Sequence, residues 1–180
     1  MKNTIRFLVL CGFVFISTFA TVPAAHAIDL GKIAKGAVDE AGGAVKTKVL
    51  EQVNAKLMAD ARKNQCSFKS DTDELAPGCD TKVTRLTSAL VEAKKRLQAA
   101  GIATFKFEVS GHTDSAGTAE HNKALSGKRA AVIVKELVAR GIPESEIESV
   151  AMGATHLLVS PDNTPAKMAK NRRYEIRVRL

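Results

Sequence analysis

Large aromatic side chains are scarce in this sequence. It has no tryptophan and one tyrosine, and aromatic residues make up 4% of its 180 residues. A hydrophobic core therefore has to be built mainly from valine, isoleucine, leucine and alanine. The scarcity also argues against a nucleic-acid partner, because single strands are usually held by basic residues interleaved with aromatic rings. Charged residues (26%) and hydrophobic residues (45%) occur in the proportions of a folded protein.

Long hydrophobic runs are also missing, apart from one near the N-terminus. Residues 7–20 are uncharged and mostly apolar, but this run is shorter than the ~20 residues needed to cross a bilayer. Lys2 and Arg6 precede the run, and Ala25-His26-Ala27 follows it with small residues at the positions that signal peptidase reads. We therefore predict a signal peptide over residues 1–27. An uncleaved membrane anchor is the alternative interpretation.

Cysteine is rare as well, with three in the chain. Cys11 follows Leu10 inside the apolar run, where a lipoprotein would carry a small residue before the cysteine, so lipidation is not expected. Cys66 and Cys79 would remain after export. Two cysteines close in sequence usually pair in an oxidising compartment. We predict a Cys66–Cys79 disulfide, which would stabilise the fold by roughly 3 kcal/mol in the chain-entropy model.

The chain is basic, with 27 lysines and arginines against 19 aspartates and glutamates. Removal of residues 1–27 takes away two basic residues and leaves the excess of positive charge in place. A basic exported protein can approach anionic polymers or lipid headgroups. Together with the signal peptide, this predicts a periplasmic protein associated with the cell wall or the outer membrane, and no nucleic-acid partner.

Residues 28–64 are rich in alanine, lysine, valine and glycine. Aliphatic residues recur there at roughly helical spacing, which predicts a helix. Glycines weaken its first half, since each costs up to ~1 kcal/mol relative to alanine, so residues 44–61 are the better-supported part. Small residues let helices approach closely, and the segment could self-associate or bind a membrane surface. A spacer helix without a partner is the alternative.

Further along, the hydrophobic period alternates between that of strands and that of helices. The pattern predicts strands over residues 65–70, 104–110, 147–151 and 174–180, and helices over 80–100 and 119–140. Residues 153–170, with two prolines, are expected to be irregular. The order predicts an α+β domain over residues 65–180: a two-layer sandwich with a βαβαββ mixed sheet and helices on one face, preceded by the N-terminal helix.

The second long helix of this domain carries a polar stripe beside its apolar one. Asn122, Ser126 and Arg129 recur at i, i+4 and i+7, which places Arg129 at the edge of the buried surface. Asp114 follows the strand before this helix, so the two charges could converge at one crevice. Such a pair suits a ligand with an ammonium and a carboxylate, because arginine clamps a carboxylate with two parallel bonds. Taken alone, these residues favour a structural Asp114–Arg129 salt bridge instead.

Motifs in a fixed order add to this geometry. They are Gly111-His112-Thr113-Asp114, Asn122-x-x-Leu125-Ser126-x-x-Arg129, Gly141-Ile142-Pro143 and Asn171-Arg172-Arg173. From about residue 66 to the end, the chain resembles the OmpA-like C-terminal domain, the peptidoglycan-binding domain of OmpA, Pal and MotB-type proteins. The resemblance implies non-covalent, non-catalytic binding of peptidoglycan through the diaminopimelate of its peptide stem.

The resemblance also implies which residues bind. Asp114 and Arg129 are expected to grip diaminopimelate, without a cofactor or a metal. The residues expected to line or support the pocket are Thr113, Asn122, Leu125, Ser126 and Arg173. Residues 67–70 and Leu75 match the family's first strand and following loop only loosely, which leaves open whether this loop contacts the ligand.

Two other functions compete with this interpretation. An enzyme could use His112, Asp114 and His121 as metal ligands or Ser126 as a nucleophile, but no base is spaced to reach Ser126, and the two histidines flank a loop. The chain could also be the anchoring subunit of a larger envelope machine, such as a stator or secretion complex. Such a subunit would keep its N-terminal membrane helix.

N-terminal sequencing of the exported protein tests the signal peptide. We expect a mature chain that begins at Ile28, because the small side chains before it present a signal-peptidase site. A protein that still begins at Met1 would contradict this prediction and favour the membrane anchor.

Overall fold

The computed structural model describes residues 30–69 and 71–180, with side chains from residue 42 onward. The predicted signal peptide lies outside the described residues. The helices are α1 (Leu30–Lys63), α2 (Cys79–Ala99), α3 (Ala119–Val138) and α4 (Pro165–Asn171), and the strands are β1 (Lys106–His112), β2 (Ile147–Gly153) and β3 (Arg173–Arg179). No helix in this described part of the chain is long and apolar enough to span a bilayer.

The three strands form a mixed sheet in the order β2-β1-β3. The central strand β1 runs parallel to β2 and antiparallel to β3. Its residues Phe107 and Val109 are buried together with Ile176 of β3. Helix α3 packs on β1 and β2, and α2 packs against both α1 and α3. The predicted α+β fold with a mixed sheet is confirmed, with three strands rather than four.

The strand predicted over residues 65–70 is replaced by a narrow loop. Phe68 and Leu75 form a single antiparallel bridge, and residues 65–69 otherwise lack strand pairing. The edge of the sheet beside β3 is covered by α1 instead. Periodicity over six residues cannot distinguish a strand from a short extended arm, because the difference depends on which neighbour the backbone pairs with.

Two amide side chains from α1 and the residues just after it pair with the outer edge of β3. Asn54 accepts a hydrogen bond from the Val178 amide (2.6 Å) and donates one to the Val178 carbonyl (3.4 Å). Gln65 does the same with Tyr174, at 3.1 and 2.7 Å. Each primary amide therefore substitutes for the peptide group of a neighbouring strand. This pairing covers part of an edge that could otherwise recruit another chain.

The same helix contributes to the hydrophobic core. Val53, Leu57 and Ala61 of α1 are buried at i, i+4 and i+8, in one cluster with residues of α2, α3 and the sheet. The boundary predicted between a helical segment 28–64 and a domain 65–180 runs through this core. Residues 42–48, in contrast, are exposed.

The segment predicted to be irregular contains α4. Thr164 begins it, because its side-chain oxygen accepts a hydrogen bond from the Lys167 amide (3.3 Å), and Pro165 occupies the first helical position. Threonine followed by proline is a common helix start. The helix ends at the buried Asn171, whose side-chain oxygen accepts hydrogen bonds from the amides of Leu158 and Val159.

The predicted disulfide is not formed in the structure, where Cys66 and Cys79 are buried thiols. Cys66 lies within 3.9 Å of the Cys79 carbonyl oxygen. Burial, reinforced by the neighbouring Cys79, raises the pKa of the Cys66 thiol to about 12. A thiol with such a pKa is protonated at neutral pH and reacts slowly with oxidants.

Removing either edge-covering amide should destabilise the domain. We expect Asn54→Ala and Gln65→Ala each to lower the free energy of unfolding by about 1–3 kcal/mol, because each leaves a backbone amide and carbonyl without their partners. Urea denaturation measures this. Gln52→Ala is the control, since Gln52 is exposed on α1, and it should change stability by less than about 0.5 kcal/mol. Equal midpoints for all three variants would contradict the role of the amides.

Candidate ligand-binding crevice

The crevice lies at the carboxyl end of β1, and its geometry depends on Gly111. A β-carbon at this position would collide with the Ser126 carbonyl and lie 3.3 Å from the Ala130 side chain. Glycine therefore allows α3 to approach the end of β1 closely. This approach brings the polar stripe of α3 beside the loop of residues 113–118, which begins directly after the strand.

Hydrogen bonds from α3 hold this loop and the end of β2. The Asn122 side-chain amide donates to the carbonyls of Ala116 (2.8 Å) and Asp114 (3.4 Å). The Ser126 hydroxyl accepts from the Gly153 amide (2.9 Å) and donates to the Lys123 carbonyl (3.0 Å). Asn122 thus lines and supports the crevice, whereas Ser126 supports it indirectly, because its hydrogen bond joins the end of β2 to α3.

Asp162 holds the loop from its other side, a role that the sequence did not reveal. Its carboxylate accepts hydrogen bonds from the Ser115 amide (2.9 Å), the Ser115 hydroxyl and the Asn171 side chain (2.9 Å). These bonds, those from Ser115 first, lower the pKa of Asp162 to about 2. The loop between β1 and α3 is therefore held from two sides, by Asn122 and by Asp162.

Asp114 is buried, with 9% of its surface exposed. One carboxylate oxygen accepts a hydrogen bond from Arg172 (2.7 Å), and the other accepts one from the Ala116 amide (3.2 Å). The direct Asp114–Arg129 salt bridge that the residues alone favoured is not formed. Asp114 pairs instead with Arg172. Arg172 was not among the residues predicted for the site, although the Asn171-Arg172-Arg173 motif contains two consecutive arginines.

Arg129 faces the same crevice but is held from another direction. Its Nε atom donates to the Thr72 carbonyl (2.9 Å), and its guanidinium lies 5.0 Å from the centre of the Phe68 ring. Burial and then the proximity of Arg172 lower the pKa of Arg129, against the smaller opposing effect of Asp71 and Asp114. A partly desolvated guanidinium beside a second cation is a favourable place for an anion.

The loop of residues 67–78 forms one wall of the crevice. Besides Phe68 and Thr72, it contributes Asp71, whose carboxylate lies 2.8 Å from the Nε2 atom of His121 at the start of α3. The region that matches the family pattern most loosely thus contacts Arg129 directly. The sequence left open whether this loop takes part in the site, and its contacts with Arg129 are evident only in the folded structure.

The cavity enclosed by these elements has a volume of about 1120 Å³. Thr113, Leu125 and Arg173 line it, as the resemblance implied, together with Asp114, Asn122 and Arg129. The buried hydroxyl of Thr113 has no hydrogen-bond partner among the described residues. Arg173 pairs with Glu175 (2.8 Å), so it buttresses the first residues of β3 rather than Asp114.

Two of the residues considered for catalysis are held by other groups. Ser126 is tied to two backbone groups, and His121 pairs with Asp71. The ring of His112 lies 6.4 Å from that of His156, and burial together with Arg173 lowers the pKa of His112 to about 4. Across the described ranges, no three histidine, cysteine, aspartate or glutamate side chains are grouped so that they could hold a metal.

The structure combines an α+β fold, built on a mixed sheet, with a crevice at one strand end that holds a buried carboxylate and a partly desolvated guanidinium. The chain belongs to the OmpA family, whose profile matches residues 67–172. The resemblance seen in the sequence is therefore confirmed. The match covers β1, β2 and most of the residues that line the crevice, and it begins after α1.

Individual relatives agree with this assignment. The chain is 40% identical over 68 residues to the peptidoglycan-binding protein ArfA of Mycobacterium tuberculosis, an alignment that covers 38% of this chain and 21% of ArfA. It is 36% identical over 69 residues to the peptidoglycan-associated lipoprotein of Pseudomonas putida, covering 38% of this chain and 41% of the lipoprotein. The chain therefore spans less than half the length of these relatives.

Solved structures share the fold at low sequence identity. The peptidoglycan-associated lipoprotein of Burkholderia pseudomallei superposes with a TM-score of 0.50 and 22% identity, covering 64% of this chain and 87% of that one. The C-terminal domain of Helicobacter pylori MotB (residues 125–256) superposes with a TM-score of 0.53 and 20% identity, covering 64% and 84%. At this identity, the likeness shows the fold alone.

The buried His112 should make stability depend on pH. Its pKa is 6.5 in an ordinary environment and about 4 in the folded protein. Between these two values, His112 is protonated in the unfolded chain and neutral in the folded protein. The contribution of neutral His112 to the free energy of unfolding is therefore fully present above pH 6.5 and is lost as the pH falls towards 4. The loss should reach at most about 3 kcal/mol.

Unfolding by urea at pH 7, 5.5 and 4.5 measures this dependence in wild type and in His112→Gln. The variant should lose less stability on acidification than wild type does. His121→Gln is the control, because His121 is exposed, and it should keep most of the wild-type slope. If His112→Gln keeps the full slope, the buried imidazole is not its source.

Proposed function

We propose that this protein binds peptidoglycan non-covalently through the diaminopimelate of the peptide stem, and so anchors itself or its membrane to the cell wall. The observation that carries the proposal is the convergence of Asp114 and Arg129 on one crevice in a member of the OmpA family. The names of its relatives support it, since ArfA is a peptidoglycan-binding protein and the Pseudomonas protein a peptidoglycan-associated lipoprotein.

The side chains suit the free end of diaminopimelate, which carries an ammonium and a carboxylate on one carbon. Asp114 accepts hydrogen bonds from the ammonium, and Arg129 donates to the carboxylate. An ammonium that binds Asp114 has to share this carboxylate with Arg172 or displace it. A displaced Arg172 remains beside Arg129 and adds a second positive charge next to the bound carboxylate.

The proposed activity is binding, without chemistry on the ligand. The crevice offers Asp114 as an acceptor and Arg129 as a donor, and Ser126 has no base within hydrogen-bond distance among the residues described. We propose that the protein acts in the periplasm, exported by its N-terminal signal peptide. The residues that would distinguish this form from one with a membrane helix lie outside the described part of the chain.

A pull-down with purified sacculi tests the site. We expect Asp114→Ala and Arg129→Ala each to weaken binding at least about tenfold, since each removes one charge-assisted contact in a partly buried site. Lys128→Ala is the matched control, because Lys128 is an exposed cation next to Arg129 on α3, and it should bind like wild type. Sacculi with lysine in place of diaminopimelate lack the carboxylate for Arg129 and should bind weakly.

Thermal melts must accompany this assay, because the loss of one charge leaves another unpaired and can lower stability. Wild-type binding by both site variants, with folds intact, would show that the site is assigned wrongly.

A further inference from the structure

Positive charge predominates in the crevice. Six cationic side chains line it: Arg62, Lys69, Arg129, Lys170, Arg172 and Arg173. Only two carboxylates, those of Asp71 and Asp114, line the same space. The crevice is therefore more basic than a site for one zwitterion requires.

Ion pairs neutralise half of these cations. Lys69 pairs with Glu74 and Arg173 with Glu175, both partners lying outside the crevice lining. Arg172 pairs with Asp114. The remaining carboxylate, Asp71, pairs with His121.

Three cations then lack a carboxylate partner within the described residues: Arg62, Arg129 and Lys170. The proposed function uses Arg129 for the carboxylate of diaminopimelate. Because that end of diaminopimelate carries one positive and one negative charge, its binding leaves the net charge of the crevice unchanged, and Arg62 and Lys170 still have no carboxylate partner among the described residues.

Arg62 and Lys170 both line the crevice, and both are exposed, so they lie at its rim. Arg62 lies in the last turn of α1 and Lys170 in the last turn of α4. Cations in the last turn of a helix also interact favourably with its carbonyl ends. That interaction accounts for a stabilising role but not for two such residues bordering one basic cavity.

We infer that Arg62 and Lys170 form a second anionic subsite, which holds a further carboxylate of the same peptide stem. This inference rests on the proposed function and narrows its ligand. In the stem, the residue before diaminopimelate is a γ-linked glutamate, whose α-carboxylate is either free or amidated. The positive charges of Arg62 and Lys170 favour binding of the stem in which this carboxylate is free over the stem in which it is amidated.

A matched pair of soluble peptides tests the inference. L-Alanyl-γ-D-glutamyl-meso-diaminopimelate and its glutamate α-amide differ by one negative charge and have almost the same shape. Calorimetric titration of the full chain should show that the free acid binds about three- to tenfold more tightly than the amide, as expected for one ligand carboxylate shared by two partly solvated cations. The difference should shrink as the salt concentration rises.

The variant Arg62→Gln/Lys170→Gln should reduce this preference to about one, and it should still bind diaminopimelate alone, because Asp114 and Arg129 are retained. The control Arg85→Gln/Lys95→Gln removes the same charge from exposed positions on α2 outside the crevice. It should keep the preference.

The outcomes separate the two proposals. Equal binding of both peptides by wild type, or an unchanged preference in Arg62→Gln/Lys170→Gln, overturns the second subsite while leaving the diaminopimelate site in place. Failure of diaminopimelate and both peptides to bind wild type overturns the proposed function and this inference together.

Discussion

The close approach of α3 to β1 at Gly111 determines how the crevice is arranged. No other residue type leaves room for the Ser126 carbonyl at this point. Because α3 is rigid, its approach also fixes where Asn122 and Arg129 stand relative to the strand end. Asn122 then holds the loop that carries Asp114, and Ser126 holds the end of β2. One backbone contact thus fixes the relative positions of α3, the loop that carries Asp114 and the end of β2.

In the crevice, Asp114 and Arg129 are held apart rather than paired with each other. Asp114 is bound by Arg172, while Arg129 is turned towards the Thr72 carbonyl and the Phe68 ring. Asp114 is therefore already engaged by Arg172, and any other cation has to share its carboxylate or displace Arg172. Arg129 has no carboxylate partner among the described residues, because its side chain donates to a backbone carbonyl.

The N-terminal helix belongs to the same structural unit. A β-strand at the sheet edge would offer its backbone to β3, whereas α1 offers the side chains of Asn54 and Gln65 and inserts Val53, Leu57 and Ala61 into the core. The helix therefore covers an open edge and completes the core at the same time. Where the side chains of α1 are described, residues 42–48 are exposed and take no part in this core.

The local pattern of the sequence was enough to predict α2, α3 and β1, because helix and strand periods depend on neighbours a few residues apart. It also predicted that Arg129 lies at the edge of the buried face of α3. It could not decide whether Arg172 or Arg173 reaches Asp114. That choice depends on where β3 begins its pairing with β1, which puts Arg173 beside Glu175 and leaves Arg172 before the strand. The β3 partners of Asn54 and Gln65 and the Ser115 partner of Asp162 lie 47 to 124 residues away. Only the tertiary structure brings such residues together, since no local period records a contact across that distance.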